Sequence, residues 1–238
     1  MPALVEADDG KRFVTKLRGA GQGPLALVAE IITGEIARAL GLLVPEIVLV
    51  DLDPAFARNE PDQEIQDLFR ASTGLNVGLE FLPEATCFDP ASGDRIDALT
   101  ASLTVWLDAF TLNIDRTPRN GNLLCWQKGL WLIDHGASLY FQHHWPGAEE
   151  KISSPFAPIR DHILMPFMEE IDVAVEIAHE RLNAQRLGEI VALVPQAWLL
   201  AERDGVDPDE RREQYVRFLT ERLDNATIFE EEITRART

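Results

Sequence analysis

Three side chains that carry oxygen ligands flank one predicted β-hairpin. Two short apolar segments, residues 122–126 and 130–133, are separated by a glycine-containing turn, which predicts a pair of antiparallel strands. Asp115 and Asn120 lie in the loop that enters the hairpin, and Asp134 follows its second strand. Both loops leave the hairpin at the same end, so the three side chains are expected to converge. Carboxylate and amide oxygens are hard ligands that suit Mg²⁺.

The N-terminal part of the chain supplies a second pair of charged residues. Only four of the 22 basic residues are lysine, yet Lys16 lies inside a predicted strand, residues 12–17. Lysine and arginine differ in shape and donor geometry, so this choice indicates a function, although a strand lysine with its head in solvent is the ordinary alternative. Glu30 lies on or beside the apolar stripe of the next predicted helix, where a carboxylate is costly unless it is paired. Lys16 is its expected partner, whereas Glu35 is expected to be solvated.

The elements that would position these residues fall into two parts, residues 1–83 and residues 84–238. The first part has a strand at 3–6, an Asp8-Asp9-Gly10 turn, a strand at 12–17, a helix at 25–40 that ends at Gly41, and strands at 44–52 and 77–82. Residues 53–76 are acidic and interrupted by prolines, which predicts a loop with one short helix at 65–70. This order is a small sheet with one main helix.

The second part is predicted to be mainly helical. It has a crossover at 87–93, an apolar helix at 98–112, the hairpin with its turn at 127–129, and helices from about 158 to about 235. The chain therefore belongs to the α+β class, with a small β-rich N-lobe and a larger, mostly helical C-lobe.

Composition excludes several classes of protein. The 238 residues carry a net charge of -18, from 22 basic and 40 acidic residues, which does not suit a protein whose main partner is nucleic acid. The sequence has no apolar segment of the ~20 residues that a membrane span requires. Cys87 and Cys125 are its two cysteines, and we expect reduced thiols in the core rather than a disulfide. A cytoplasmic protein is the simplest interpretation.

The two-lobe arrangement resembles the protein-kinase-like fold, and three segments resemble the HipA-like kinases. The catalytic loop of the relevant branch reads Asn-x-Asp-Arg-Thr-x-x-Asn. The matching segments are FVTKLRGAGQGPLALVAEIITGEIARALGLLVPE, NIDRTPRNGNLL and WLIDHGASL, which cover most of residues 3–141. The loop DRTPRN is also similar to that of phosphatidylinositol kinases. The resemblance implies an ATP- and Mg²⁺-dependent kinase.

The resemblance also implies a role for each candidate residue. Lys16 would bind the ATP phosphates, Glu30 would pair with Lys16, Asp115 would be the base, Asn120 and Asp134 would hold Mg²⁺, and the backbone of Glu80, Phe81 and Leu82 would meet adenine. Asn120 has the kinase spacing from the base. Asn122 remains an alternative metal ligand because it directly precedes the two leucines of the hairpin. Asp134, His135 and Gly136 occupy the place of the Asp-Phe-Gly motif.

One feature of this kinase group is missing from the sequence. These kinases carry a glycine-rich turn over the phosphates between their first two strands, whereas only two residues precede the strand at 3–6. We therefore expect the natural chain to begin roughly 15 to 25 residues upstream of Met1. The glycine-containing loop 19–23 lacks the spacing of such a turn, but it precedes a helix, and its amides could meet an anion.

The phosphate acceptor is the least defined part of the prediction. A serine or threonine hydroxyl of a protein is expected, with a lipid or small-molecule hydroxyl as an alternative. The alternative from another class is a nucleotide-binding interaction module with weak or no transfer activity. The missing glycine-rich turn favours this alternative, whereas the complete set of Lys, Glu, Asp, Asn and Asp residues favours an enzyme.

Overall fold

The computed structural model describes residues 2–21, 23–93, 96–200 and 204–237. Seven strands lie within these ranges: β1 (Pro2–Glu6), β2 (Arg12–Lys16), β3 (Ile47–Leu52), β4 (Gly74–Glu80), β5 (Thr86–Cys87), β6 (Leu123–Trp126) and β7 (Gly129–Leu132). The same ranges hold ten α-helices: α1 (Pro24–Leu40), α2 (Ala55–Asn59), α3 (Gln63–Ala71), α4 (Ala98–Phe110), α5 (Ala148–Ile152), α6 (Ile171–Arg181), α7 (Ala184–Val191), α8 (Gln196–Leu199), α9 (Pro208–Asp224) and α10 (Thr227–Arg237). The expectation of an upstream start concerns Met1, which lies outside the described residues.

The N-terminal sheet has the strand order β1-β2-β4-β3, and all its neighbours are antiparallel. The predicted turn between β1 and β2 forms, with Gly10 at a φ of 79° and its N–H donating to the Ala7 carbonyl. Strand β4 begins three residues earlier than predicted, at Gly74, and pairs with β3 from Gly74 to Leu79. The sheet therefore places Lys16, at the end of β2, beside Val77 of a buried central strand.

Helix α1 confirms the helical periodicity of its sequence. Pro24 occupies the first turn, and Gly41 ends the helix at a φ of 89°, a left-handed conformation that glycine adopts without strain. Gly34 is required for close packing, because a Cβ atom there would lie 2.5 Å from Ile47 Cδ1. Glu30 is fully buried within this otherwise apolar surface.

The prediction for residues 53–76 was wrong in detail, because two helices form there rather than one. Asp53 accepts a hydrogen bond from the Ala55 N–H at the start of α2. Asp62 accepts from the N–H groups of Glu64 and Ile65 at the start of α3. Asp62 is the N-cap of α3, Asp53 supports the turn before α2, and the prolines lie before the helices rather than inside them.

A second sheet, with the order β5-β6-β7, contains the predicted hairpin. Its turn consists of Gln127 and Lys128 alone, at φ values of 46° and 65°, and Gly129 belongs to β7 instead of the predicted turn. A Cβ atom at Gly129 would lie 2.5 Å from Leu43 Cδ1, so close packing explains this glycine. The short strand β5, which was predicted as crossover, pairs with β6.

The C-terminal helices differ from the prediction at their start. A short helix, α5, lies before the predicted start, residues 157–167 form two 3-10 turns, Ala157–Asp161 and Met165–Phe167, and the longer helices start at Ile171. The cysteines do not lie in the core and do not form a disulfide: Cys87 is exposed and Cys125 is half-buried. The described part of the chain has no helix with the length and hydrophobicity to cross a membrane.

Helix α1 packs on the C-terminal helices as well as on the sheet, so that one hydrophobic core joins the two parts. Hydrogen bonds fix both of its ends: Arg181 Nη1 donates to the Leu40 carbonyl at 2.6 Å, and Gln142 Nε2 donates to the Leu25 carbonyl at 3.1 Å. Tyr215 of α9 in turn donates to Gln142 Oε1. The helix that carries Glu30 is therefore attached to the C-terminal part at both ends.

Candidate active site

Lys16 lies between two carboxylates, one buried and one exposed. Its Nζ atom is 2.5 Å from Glu30 Oε2 and 2.6 Å from Asp134 Oδ1. The Glu30 side chain is fully buried, whereas the Asp134 side chain is 51% exposed. Glu30 Oε2 also accepts the N–H of His135 at 2.7 Å, which ties α1 to the residue after Asp134. The structure thus brings together the three predicted residues Lys16, Glu30 and Asp134.

The charges of this group depend on one another. Burial lowers the pKa of the Lys16 ammonium, but the carboxylates of Glu30 and Asp134 outweigh burial, so its pKa lies above the ordinary value and Lys16 is a cation at neutral pH. Burial raises the pKa of the Glu30 carboxyl, and the Lys16 charge and the His135 N–H partly offset this effect. A buried carboxylate at this position therefore depends on Lys16.

The loop before β6 brings Asp115 together with both candidate amides. Asn120 Nδ2 donates to Asp115 Oδ2 at 2.7 Å, and Asn122 Nδ2 donates to the same oxygen at 3.2 Å. Asn120 is exposed, whereas Asn122 is half-buried with a φ of 49°. Each amide turns its nitrogen to Asp115, which leaves its oxygen available to another partner.

Asp115 and Asp134 line one cavity with Lys16. The cavity has a volume of about 260 Å³, and Pro2, Gly21 and Gly23 also contribute to its walls. Gln22, between the two glycines, lies outside the described residues. Asp134 has a φ of 55°, a left-handed conformation that is uncommon for a residue with a side chain and that often marks a functional site. A cation and two carboxylates around one cavity are suited to binding a phosphate ester with a metal ion.

Comparison with known proteins decides the family. A family model described as HipA-like kinase matches residues 1–232. The chain belongs to the HipA-like kinase family. It is therefore a phosphotransferase, and the sequence resemblance is confirmed.

Solved structures agree on the fold. The chain is similar to the proinflammatory kinase CtkA of Helicobacter pylori, with a TM-score of 0.59 and 14% identity over 99% of this chain and 94% of that chain. This likeness confirms the predicted α+β, kinase-like fold. No curated protein sequence shows significant similarity to the chain.

The hinge predicted for this HipA-like kinase has part of its backbone already bonded. The Glu80 N–H donates to the Glu46 carbonyl, and the Phe81 N–H donates to the Arg12 carbonyl, both at 2.9 Å. The Arg12 guanidinium also lies over the Phe81 ring, 4.7 Å from its centroid. The N–H groups of Glu80 and Phe81 therefore hold the sheet together and are already bonded within the protein.

Four residues behind the catalytic loop were missed by the sequence analysis. They are buried polar side chains that hydrogen-bond one another: Asp108, Asn113, Arg116 and His162. One signal was available, because Asp108 is the only charged residue of α4. A carboxylate inside an apolar helix requires a partner, and Arg116 follows eight residues later.

Proposed function

We propose that this HipA-like kinase transfers the γ-phosphoryl group of ATP, with Mg²⁺, to a hydroxyl group, and that the acceptor is a serine or threonine of a protein. The observation that carries the proposal is the position of Lys16, which contacts both Glu30 and Asp134 and lines one cavity with Asp115. Phosphoryl transfer needs positioned charges and an oriented hydroxyl more than covalent help from the protein. These residues would supply both.

In this proposal Lys16 binds the phosphates and Glu30 holds it in place. A lysine with two carboxylate partners remains protonated, so it presents a fixed positive charge to the nucleotide. Glu30 is fixed in turn by the His135 N–H and by burial. When a phosphate approaches, Lys16 exchanges its contact with the exposed Asp134 for the phosphate oxygens and keeps the buried Glu30.

Asp134 and one amide oxygen would hold the metal ion. The donor set fits Mg²⁺, which prefers carboxylate and amide oxygens and retains several waters. Asp134 is half-exposed, and the amide oxygens of Asn120 and Asn122 are not turned toward Asp115. The bound ion would neutralise charge on the phosphates during transfer. The backbone holds both candidates: the Asn122 carbonyl accepts bonds from Arg116 and from the Ile133 N–H, and Asn120 exchanges two backbone hydrogen bonds with Thr117.

Asp115 would orient the acceptor hydroxyl and accept its proton. Its Oδ2 atom already accepts two amide N–H groups, so its side chain is fixed before the substrate arrives. The neighbouring Ile114 is 52% exposed, an apolar side chain next to the base. This feature favours an acceptor with apolar groups, such as a polypeptide, over a small sugar or amine.

The adenine ring would lie under the N-terminal sheet. Leu4 and Val14 are cross-strand partners, and Val14 is two residues before Lys16, so all three share one face of the sheet. Leu4 is 56% exposed on this face. An exposed leucine on the same face of the sheet as Lys16 favours a planar apolar ligand. We place the reaction in the cytoplasm, where ATP is available and where cysteines that form no disulfide are expected. The net charge of -18 argues against nucleic acid as acceptor.

Transfer of label from [γ-³²P]ATP tests the proposal. Purified protein is incubated with Mg²⁺ and either a protein extract, lipid vesicles or neither, and Asp115→Asn is run in parallel. We expect labelled protein, with the rate reduced roughly 10²- to 10⁴-fold in Asp115→Asn while nucleotide affinity is kept. Label in lipid would replace the protein acceptor, and binding of ATP without transfer to any acceptor would support the interaction-module alternative.

A further inference from the structure

A buried carboxylate outside the cavity, Asp108, connects to the candidate catalytic residues through side-chain hydrogen bonds. Its Oδ2 atom accepts from Arg116 Nε at 2.6 Å and from His162 Nε2 at 2.8 Å. Its Oδ1 atom accepts from Asn113 Nδ2 at 2.9 Å. Asp108 is fully buried, and Arg116 is 1% exposed. Every oxygen of this carboxylate therefore has a donor.

His162 is a neutral partner in this group. Its Nδ1 atom accepts the Leu164 N–H at 3.0 Å, so the ring proton lies on Nε2 and is donated to Asp108. Burial lowers the pKa of His162, in agreement with the neutral ring. Arg116 then supplies the one positive charge that balances Asp108. This balance explains how the carboxylate is tolerated in an apolar helix.

Two branches lead from Asp108 toward the cavity. In the first branch, the Asn113 side chain accepts the N–H of Asp115 at 3.1 Å, next to its bond to Asp108. In the second, Arg116 Nη1 donates to the Asn122 carbonyl at 2.5 Å, and Arg116 Nη2 donates to His135 Nδ1 at 3.3 Å. The Arg116 carbonyl also accepts the Ile163 N–H, and this bond attaches the segment that contains His162 to the loop before β6.

The second branch reaches both sides of Asp134. Arg116 Nη1 lies 3.5 Å from the Ile133 carbonyl, and His135 follows Asp134 directly. The His135 N–H in turn donates to Glu30, the partner of Lys16. A continuous chain of contacts thus connects α4 to the lysine of the N-terminal sheet. The Arg116 guanidinium therefore contacts the backbone of Asn122, which is one candidate metal ligand. It also contacts Ile133 and His135, the two neighbours of Asp134, which is another.

We infer that Asp108, Asn113 and Arg116 are positioning residues, which set the geometry of the base through Asn113 and that of the metal ligands through Arg116. The roles of the residues they position rest on the proposed function above. Partners of metal ligands that do not touch the metal commonly affect its affinity or the activity by 10- to 100-fold. A lysine cannot replace Arg116, because its single ammonium cannot span three acceptors.

Two variants separate the branches, and a third is a control. Arg116→Lys keeps the charge opposite Asp108 but removes the fork. Asn113→Ala removes the acceptor for the Asp115 N–H and leaves the Arg116 ion pair intact. Leu219 is fully buried in α9, outside the network, and Leu219→Ala creates a cavity in the core. This variant controls for a loss of stability that leaves the positioning residues unchanged.

Two measurements decide the inference. Hydrogen exchange of the full-length protein should accelerate at least ~10-fold at 131–136 in Arg116→Lys and at 113–117 in Asn113→Ala, relative to Leu219→Ala. In kinetics, Arg116→Lys should raise the half-saturating Mg²⁺ concentration about 10- to 100-fold, and Asn113→Ala should lower kcat at least ~10-fold with the KM for ATP unchanged.

Each contrary result has a defined meaning. Exchange that rises no more in these segments than in Leu219→Ala would show that the network does not position them. Faster exchange with unchanged Mg²⁺ dependence and kcat would also overturn the inference. A wild-type protein that transfers no phosphate would count against the proposed function instead, and the exchange data would still decide whether the network fixes the loop.

Discussion

Lys16 shows how one side chain depends on its neighbours in this site. It is 17% exposed and has two carboxylate partners, of which only Glu30 is buried. Replacing Glu30 would leave a largely buried cation with one exposed partner, whereas replacing Asp134 would leave the buried pair intact. The two carboxylates can therefore be separated experimentally, and Asp134 is the residue whose loss tests the metal rather than the fold.

Asp134→Asn should weaken ATP binding at least ~10-fold in Mg²⁺ and change it little in EDTA, because the carboxylate acts through the metal ion. Titration calorimetry in the two buffers measures this difference. Asp172→Asn, an exposed carboxylate on α6, is the matched control and should leave both affinities unchanged. Equal losses in Mg²⁺ and EDTA would exclude a metal-binding role for Asp134.

His135 makes the stability depend on pH. Burial and the Arg116 charge lower the pKa of His135 well below its ordinary value of 6.5, and burial lowers that of His162. Because the unfolded chain takes up a proton on each ring below pH 6.5 and the folded chain does not, stability is full above pH 6.5 and is lost as pH falls. Between pH 6.5 and 5.5 the His135 ring accounts for about 1 kcal/mol of this loss, and His162 acts in the same direction.

His135→Phe should therefore reduce the slope of the free energy of unfolding between pH 6.5 and 5.5 by about 1 kcal/mol per pH unit. Urea unfolding at several pH values measures the slope separately from the cost of losing the bond to Arg116. His144→Gln, at an exposed position, is the control and should leave the slope unchanged. The same slope in His135→Phe and wild type would mean that His135 is protonated when folded.

In the hairpin of β6 and β7, Gly129 lies in the strand and packs against Leu43, and the turn itself contains no glycine. Gln127 and Lys128 both have positive φ, which two-residue turns usually assign to Asn and Gly. A Cβ atom at Gly129, one residue later, would lie 2.5 Å from Leu43 Cδ1, so a larger residue there needs a shift of the Leu43 side chain. The sequence pattern placed the glycine in the turn because the contact with Leu43 is distant in the chain and has no local signal.

Lys128→Gly should stabilise the protein by about 1 kcal/mol, since it removes the strain of a left-handed lysine. Gly129→Ala should destabilise it, because the added Cβ atom collides with Leu43. Thermal unfolding of the two variants beside wild type measures both effects. A destabilised Lys128→Gly would show that the lysine side chain contributes more than its backbone strain costs.

At the scale of the whole molecule, local sequence patterns predicted most of the helices and strands and the candidate site residues. They did not predict the contacts that attach these elements to one another. The periodicity of residues 25–40 and the charged residues Lys16, Glu30 and Asp134 were readable, because each follows from neighbours in sequence or from a motif. The roles of Arg181 and Gln142 at the ends of α1 depend on partners more than 100 residues away. The sequence indicated that Asp108, a charged residue in an apolar helix, is unusual, but it did not indicate its three hydrogen-bond partners.

The proposed boundary at residue 83 is not expected to separate two folding units. Helix α1 shares one core with the C-terminal helices, so residues 1–83 alone would expose its buried face. We expect this fragment to lack fixed tertiary structure by NMR and the full chain to unfold in a single transition by both circular dichroism and tryptophan fluorescence. A folded fragment, or two separate transitions, would contradict this expectation.

The attachment of α1 at both ends has a consequence for how a cell could control this protein. A signal that acts by swinging the helix would have to break the contacts of Arg181 and Gln142 and open the core at the same time. Such a movement would expose the buried face of α1, so the loss of its apolar contacts would add to the loss of the two hydrogen bonds. Control is therefore expected to act on the number of copies, through synthesis and proteolysis, and on the delivery of the acceptor, rather than on an off-state of each copy.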